Sequence, residues 1–279
     1  MKHSFTLNLN EELMVLDSPK IMGILNVTPD SFYSNSMVNS ESDILSRAEK
    51  MLEDGTDFLD IGGYSSKPGA KEVSESEEIN RVIPAIAIIK KTFPKAVISI
   101  DTFRSSVAMA AISAGASIIN DISGGDADPL MFQTVKDLQV PYVIMHMQGT
   151  PQTMQKNPLY NNVVQEVYKD LSLKVNTLRL MGIPDVIVDV GFGFGKTIEH
   201  NYDLLANLEY FHSLNCPVLV GISRKSMIHK SLGITPEECL NGTAVLNTIA
   251  TQKGAQILRV HDVKEAKEML KLYSLTNLA

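Results

Sequence analysis

The sequence predicts one α/β domain, a (β/α)8 TIM barrel that follows a short N-terminal extension. Three observations favour this fold. Short apolar runs rich in Ile and Val alternate with longer amphipathic or alanine-rich stretches from residue 20 onward. The apolar runs are continuous, which is typical of strands buried on both faces of a parallel sheet. Eight such pairs fit within 279 residues, a length at which α/β barrels are commonly one domain.

The elements follow in a regular order. Residues 1–19 are expected to form a hairpin or arm, and residues 20–279 the barrel. Amphipathic stretches such as 76–93 and 160–182 predict helices between the strands. An open doubly wound sheet is the alternative, because one misassigned strand would change the count. The predicted strands are 20–27, 58–63, 97–101, 117–123, 142–147, 186–190, 217–223 and 257–262.

The composition restricts the classes of partner. Hydrophobic residues make up 44% and charged residues 20%, which is ordinary for a globular protein. A formal charge of −7 provides no basic field for nucleic acid or an anionic membrane, so neither is expected as a partner. The N-terminus lacks the apolar core of a signal peptide, and Cys216 and Cys239 are too few for a disulfide framework. We therefore expect a cytoplasmic protein.

The stretch "GFGFGKT" at 191–197 raises the possibility of a phosphate-binding loop. A P-loop needs a glycine five positions before Gly195, but Val190 stands there. The dinucleotide pattern fails too, because Lys196 occupies the place of its last glycine. The glycines are therefore interpreted as a tight turn, and Lys196 as a structural or solvent-facing residue.

Polar residues stand at the ends of nearly all predicted strands, where barrel enzymes carry their active sites. A single Asp or Asn at such a place often caps a loop or the next helix. Capping does not call for the Lys, Arg and His contributed by the last two strands. The residues at these ends are Asn26, Asp60, Asp101, Asn120, His146, Asp189, Ser223, Arg224, Lys225, Arg259 and His261.

These residue types suggest a ligand with two parts. Asp101, Asn120 and Asp189 offer acceptors and one amide donor, which suit a flat heterocycle with an amino-pyrimidine edge. Arg259 and His261 alternate on the last predicted strand, so they are expected to point to the same side. They supply donors for a phosphate or diphosphate near the end of the barrel where phosphate often binds.

Eight sequence blocks stand in order from about residue 20 to about 270, so they span nearly the whole chain. The blocks are "GILNVTPDSF" (23–32), "DIGGYSSKPGA" (60–70), "ISIDTFR" (98–104), "IINDISGG" (118–125), "MHMQGTPQTMQ" (145–155), "DVGFGFGKT" (189–197), "GISRKS" (221–226) and "RVHDV" (259–263). Together they resemble dihydropteroate synthase, an enzyme family that is a sulfonamide target.

The resemblance implies an activity and a set of site residues. The family condenses 7,8-dihydropterin-6-ylmethyl diphosphate with p-aminobenzoate, releasing diphosphate, with Mg²⁺ as cofactor and as a homodimer. Pterin binding is implied for Asp101, Asn120, Ile122, Met145, Asp189, Phe194, Gly221 and Lys225. Asn26 would meet Mg²⁺ and, with Arg259 and His261, the diphosphate. p-Aminobenzoate binding is implied for Phe32, Ser66, Lys67, Pro68 and Ser226. Catalytic roles are implied for Asp101, Lys225, Arg259 and His261.

Several positions depart from the family pattern. They are Ser34 in place of Asp, Tyr64 of Glu, Ser66 of Thr, Lys67 of Arg and Val190 of Pro. Two alternatives to the synthase follow. A catalytically weak homologue could bind pterin as a sensor or partner protein, and the loop departures are its support. A methyltetrahydrofolate:corrinoid methyltransferase would share the pterin pocket but would not need "NVTPDSF" or the Arg259 and His261 pair.

Overall fold

The structure, a computed structural model, describes residues 4–9, 12–27, 37–64, 73–150, 154 and 158–276. Its centre is a closed barrel of eight parallel strands. The predicted (β/α)8 barrel is therefore confirmed, and the open-sheet alternative is wrong. Before the barrel lie β1, Phe5–Leu9, and β2, Glu12–Leu16. The barrel strands β3 to β10 are Lys20–Asn26, Phe58–Gly62, Ile98–Asp101, Ile118–Asp121, Tyr142–Met145, Val186–Asp189, Val218–Val220 and Ile257–Val260.

A helix follows each barrel strand. Short 3₁₀ helices at Leu208–Leu214 and Pro236–Cys239 interrupt the later connections. The α-helices α1 to α9 are Met37–Glu53, Glu75–Thr92, Ser105–Ser113, Met131–Leu138, Val163–Leu180, Ile198–Ala206, Ser226–Leu232, Leu240–Gln252 and Val263–Thr276. Within the described ranges, no helix combines the length and the apolar character that crossing a bilayer requires.

The barrel closes by pairing of its first and last strands, β3 with β10. Each of its strands is buried on both faces, which explains the continuous apolar runs. The outward-facing residues pack with the helices into the largest apolar cluster, which includes Tyr142, Ile61 and Val188. Cys216 and Cys239 are free and buried, as small core residues.

The predicted strand ends needed correction on the C-terminal side. The predicted strand 217–223 ends at Val220, and the predicted strand 257–262 ends at Val260. The pairing of β9 with β10 covers only Leu219 and Val220, because the chain then turns away from the ladder. Burial could not show the end of β9, since Gly221, Ile222 and Ser223 stay buried past it.

The described starts of α2, α5 and α6 carry polar side chains that satisfy free helix N–H groups. The Ser74 side chain accepts from the backbone N–H of Glu77 at the start of α2, and Asn162 accepts from Gln165 at the start of α5. Thr197 and His200 form a capping box at α6. The Thr of "GFGFGKT" is therefore a helix cap.

Strands β1 and β2 form an antiparallel hairpin at the N-terminal end of the barrel. The hairpin buries Leu7, Leu9 and Leu16 against the inward-facing residues near the starts of the barrel strands. Those residues are Met22, Phe58, Ile118, Val143, Ile187, Leu219 and Ile257. The hairpin thereby closes this end of the barrel, and the opposite end, which we call the mouth, carries the polar strand ends.

Candidate active site

A buried charge cluster lies at the mouth, built around Arg259 of β10. Its Nε donates to Asp60 Oδ2 over 2.6 Å, and one terminal nitrogen donates to Asp101 Oδ2 over 2.6 Å. Asn120 Nδ2 donates to the same Asp60 oxygen over 3.1 Å. Asp60 Oδ1 is buried and has no hydrogen-bond partner among the described residues. The cluster therefore keeps a free buried acceptor for a ligand N–H group.

The protonation of Asp101 follows from this setting. Burial raises the pKa of Asp101 to about 7, because the attraction of Arg259 offsets only part of the desolvation and Asp60 adds repulsion. Burial lowers the pKa of Arg259, but its two carboxylate partners raise it. The net effect keeps Arg259 charged. Asp60 was identified as a strand-end residue, but its pairing with Arg259 was not predicted.

Asp189 and Lys225 form a second charged pair beside the first. Asp189 Oδ1 accepts from the Gly191 backbone N–H over 2.8 Å, and burial raises its pKa despite the nearby Lys225. Burial lowers the pKa of Lys225 to about 8, and Asp189 opposes this shift. Lys225 Nζ donates to the Phe192 carbonyl and lies 4.6 Å from the centre of the Phe194 ring. One cation thus touches both a carbonyl and an aromatic wall.

Apolar side chains form a separate small cluster above the strand ends. Ile122, Met145, Met154 and Phe194 are buried together, with Phe103 and Met147 packed against them. Three of these, Ile122, Met145 and Phe194, were predicted as walls of a ring pocket. Gly221 lies close by, since a Cβ there would stand 3.8 Å from both Arg259 Cβ and Lys225 Nζ.

The glycine-rich turn brings Phe194 to this place. At Gly191, φ is +74° and a Cβ would lie 1.9 Å from the His146 carbonyl oxygen, so only glycine fits. Lys196 is buried, and its Nζ bonds to His146 Nδ1, the His146 carbonyl and the Phe194 carbonyl at 3.0, 3.1 and 2.9 Å. Lys196 is therefore structural, and the solvent-facing alternative is wrong.

Asn26 ends β3 on the rim of the mouth. Its Oδ1 lies 3.5 Å from the position that a Cβ on Gly62 would take, and Asp101 Oδ2 lies 3.6 Å from the same point. Among the described residues, no three His, Cys, Asp or Glu side chains are grouped as metal ligands. A single carboxamide oxygen fits Mg²⁺ that takes its remaining ligands from a diphosphate and water.

Arg259 and His261, which were predicted to point together, have different hydrogen-bond partners. Arg259 lies inside the barrel in contact with Asp101, which was assigned to the pterin pocket, and with Asp60. His261 follows the end of β10 and is exposed, with Nδ1 3.0 Å from Ser223 Oγ. The predicted strand 257–262 ends at Val260, so His261 lies just past it, and the expectation that the two side chains point to the same side stays a prediction. The link between Ser223 and His261 was not predicted.

Part of the predicted p-aminobenzoate site cannot be placed. Phe32, Ser66, Lys67 and Pro68 lie outside the described residues, as does the departure at Ser34. Ser226 is the first residue of α7, directly after Lys225. Tyr64 packs edge-on against Phe103 with ring centres 5.3 Å apart, so this departure adds an aromatic contact beside the apolar cluster. Val190 is fully buried.

The mouth of this closed parallel barrel combines buried acceptors, two cations and an aromatic wall. Together these features are typical of an enzyme that binds a flat polar ring. The family model described as "Pterin binding enzyme" matches residues 22–261. The chain is 45% identical to the dihydropteroate synthase of Haemophilus influenzae, over 96% of this chain and 97% of that one. It is 43% identical to the Escherichia coli dihydropteroate synthase, over 94% and 93% of the two chains. The chain belongs to the dihydropteroate synthase family of pterin-binding enzymes.

Solved structures agree with this assignment. The Yersinia pestis dihydropteroate synthase, in complex with a sulfonamide drug, superposes with a TM-score of 0.92 at 38% identity, covering 99% of this chain and 100% of that one. The Xanthomonas albilineans enzyme with 4-aminobenzoic acid gives 0.92 at 37% identity, covering 99% of each chain. The predicted activity is confirmed: the protein is a transferase of folate synthesis that forms 7,8-dihydropteroate.

Proposed function

We propose that the mouth residues divide the synthase reaction between them. Asp189, Asn120 and the free oxygen of Asp60 accept the N–H groups of the pterin, while Ile122, Met145 and Phe194 enclose its ring. The observation that carries this assignment is the convergence of buried acceptors on one apolar wall. An aminopterin edge needs such acceptors in a water-poor place, because there each lost hydrogen bond has a high cost.

The reaction breaks one C–O bond and forms one C–N bond. The bond from the pterin methylene to the diphosphate breaks, and its electron pair leaves on the diphosphate oxygen. The amine of p-aminobenzoate then attacks the methylene and loses a proton to solvent. Arg259 and His261 donate to the leaving diphosphate, and the carboxylates of Asp60 and Asp101 face the positive charge that develops on the pterin.

We also propose Mg²⁺ as cofactor, held by Asn26 and by diphosphate oxygens. When bound, Mg²⁺ neutralises part of the leaving group's charge. Asn26→Ala should weaken Mg²⁺ dependence and raise the KM for the diphosphate substrate several-fold, without changing affinity for a pterin that lacks diphosphate. Equal losses for both ligands would show that Asn26 shapes the pocket instead.

An assay with dihydropterin diphosphate and p-aminobenzoate, with and without Mg²⁺, tests these roles. Lys225→Met should lose most of its turnover and pterin affinity, whereas Lys264→Met, on the exposed side of α9, should match the wild type. Tight pterin binding with no dihydropteroate formed by the wild-type chain would favour the sensor alternative. Normal activity of Lys225→Met would remove Lys225 from the site.

A homodimer and a cytoplasmic location complete the proposal. Exposed apolar side chains on the last helices support a self-association surface: they are Leu232, Leu240, Val245, Leu272 and Leu275. Sedimentation of the wild type and of Val245→Glu tests it, and a monomeric wild type would reject the dimer.

The free cysteines are consistent with a reducing compartment, which supports the proposed cytoplasmic location.

A further inference from the structure

The turn after β9 places a buried hydroxyl against the imidazole of His261. Ser223 is 3% exposed, and its Oγ lies 3.0 Å from His261 Nδ1. The same Oγ accepts from the His261 backbone N–H over 3.3 Å. Ser223 therefore contacts both the main chain and the ring of one residue, across 38 positions of sequence.

The direction of the hydrogen bond to the ring can be assigned. A serine hydroxyl has one hydrogen and two acceptor sites, and a buried hydrogen needs an acceptor. Among the described residues, the acceptor within reach of the Ser223 hydrogen is His261 Nδ1. The hydroxyl accordingly donates to Nδ1, which must be unprotonated. A neutral imidazole then carries its hydrogen on Nε2.

We propose that Ser223 is a positioning residue that fixes His261 as the Nε2–H tautomer, so that a neutral ring donates a hydrogen bond to the leaving diphosphate. This inference rests on the proposed diphosphate role of His261. Nε2 has no hydrogen-bond partner in the part of the chain that the structure describes, and the side chain is exposed at the mouth. The ring is thus held on one side and open to a ligand on the other.

Partial desolvation and the surrounding charges both favour the neutral ring. Desolvation and then Arg259 and Arg224 lower the pKa of His261 to about 4, while Asp262 opposes them and Lys225 adds to them. Near neutral pH the ring can donate only through the nitrogen that carries its hydrogen. The tautomer therefore decides whether His261 can contact the diphosphate through Nε2.

A salt bridge keeps the two partners in register. Arg224 follows Ser223, has a φ of +58°, and donates from Nε and a terminal nitrogen to the two Asp262 oxygens over 3.1 and 2.6 Å. Asp262 directly follows His261. The left-handed backbone at Arg224 and the two-point contact tie the turn after β9 to the end of β10.

Nitrogen-15 spectra of histidine-labelled protein test the tautomer directly. In the wild type, His261 should show a protonated Nε2 and an unprotonated Nδ1 at neutral pH, with its signals assigned by their loss in His261→Asn. Ser223→Ala should give a mixture of tautomers, and Ser223→Thr, which keeps the hydroxyl, should restore the Nε2–H form. A wild-type ring protonated on Nδ1 overturns the inference without any variant being needed.

Kinetics of a double-mutant cycle test the consequence. Ser223→Ala should raise the KM for the diphosphate substrate and weaken inhibition by inorganic diphosphate about threefold to tenfold, the scale of one neutral hydrogen bond. The effects of Ser223→Ala and His261→Ala should not add, because Ser223 acts through His261. Additive effects contradict the inference.

Two controls separate the inference from the proposed role on which it rests. Ser213→Ala removes an exposed hydroxyl that donates to the Tyr210 carbonyl, and it should change neither constant. If His261→Ala leaves inhibition by diphosphate unchanged while the tautomer is Nε2–H, the role of His261 fails but the assignment of Ser223 holds.

Discussion

Two buried aspartates differ in role because their side chains face different sides of the barrel wall. Asp189 ends β8 at the mouth beside Lys225, whereas Asp121 ends β6 and accepts from the Tyr142 hydroxyl over 2.7 Å in the outer layer. Both have a raised pKa for which burial is the main cause. Burial and a raised pKa alone therefore do not identify a binding residue.

Substitution of the two aspartates should have different effects. Asp189→Asn should weaken binding of a pterin by about 2–5 kcal/mol, since a charged acceptor becomes partly a donor toward the ring N–H groups. Asp121→Asn should lower the melting temperature but leave pterin affinity unchanged. Titration calorimetry with a pterin analogue measures the first effect. Unaltered affinity in Asp189→Asn would show that the ring binds elsewhere.

Strand ends allowed part of the site to be predicted, because parallel strands bring their C-terminal ends together at one edge. The positions of Asp101, Asn120 and Asp189 at this edge were predicted in this way and are confirmed, while their roles stay predictions. The pairing of Arg259 with Asp60 joins residues 199 positions apart, and it depends on which rotamer carries a long side chain across the barrel. No local pattern contains that information, nor the hydroxyl contact of His261.

At the scale of elements, the hairpin contributes packing to the closed end. Leu7 is 1% exposed on β1, and Leu13 is 72% exposed on β2. Leu7→Ala should reduce the free energy of unfolding by about 2–5 kcal/mol, whereas Leu13→Ala should change it by less than about 0.5 kcal/mol. Urea titration measures both. Equal costs would mean that the hairpin does not pack against the barrel as described.

Helix α2 offers a matched pair of acidic residues. Glu78 is fully buried, accepts from Thr102 Oγ1 over 2.7 Å and is paired with Arg104, while Glu77 is half-exposed and paired with Arg81. Glu78→Gln should cost about 2–4 kcal/mol of stability, because its amide group would face the Arg104 donors in a buried place. Glu77→Gln should cost much less. Comparable losses would reject this account.

The eight barrel strands were predicted to within a few residues because burial on both faces leaves a clear apolar run, and the two helical stretches 76–93 and 160–182 match α2 and α5 equally well. The errors fall at C-terminal strand ends, such as Val220, where the chain leaves the ladder but stays buried. The arm at the N-terminus was expected from residues 1–19, but its position against seven barrel strands was not, since its apolar residues could have packed on any surface.

At the scale of the whole molecule, His146 should shape the pH dependence of stability. Burial and the nearby Lys196 lower the pKa of His146 to about 2, so the folded protein keeps it neutral while the unfolded chain takes up a proton below about 6.5. Stability from this residue is therefore lost as the pH falls below about 6.5, by about 1.4 kcal/mol per pH unit.

Asp101 has the opposite effect on stability as the pH falls, since its raised pKa lets the folded state hold a proton that the unfolded chain has released between about pH 4 and pH 7.

The variant His146→Asn isolates the histidine contribution, because its amide oxygen can still accept from Lys196. Denaturant unfolding from pH 7 to pH 5 should show a smaller loss in the variant. Parallel curves would mean that His146 is protonated in the folded protein.

The closed end of the barrel also has a consequence for synthesis on the ribosome. The hairpin is made early, but its leucines contact residues as late as Ile257, about 240 positions downstream. Chain closure over that distance cannot occur until the last barrel strand has left the exit tunnel. Until that strand emerges, the nascent hairpin presents an apolar face without its final partners, which is the kind of transiently exposed surface that chaperones protect from aggregation.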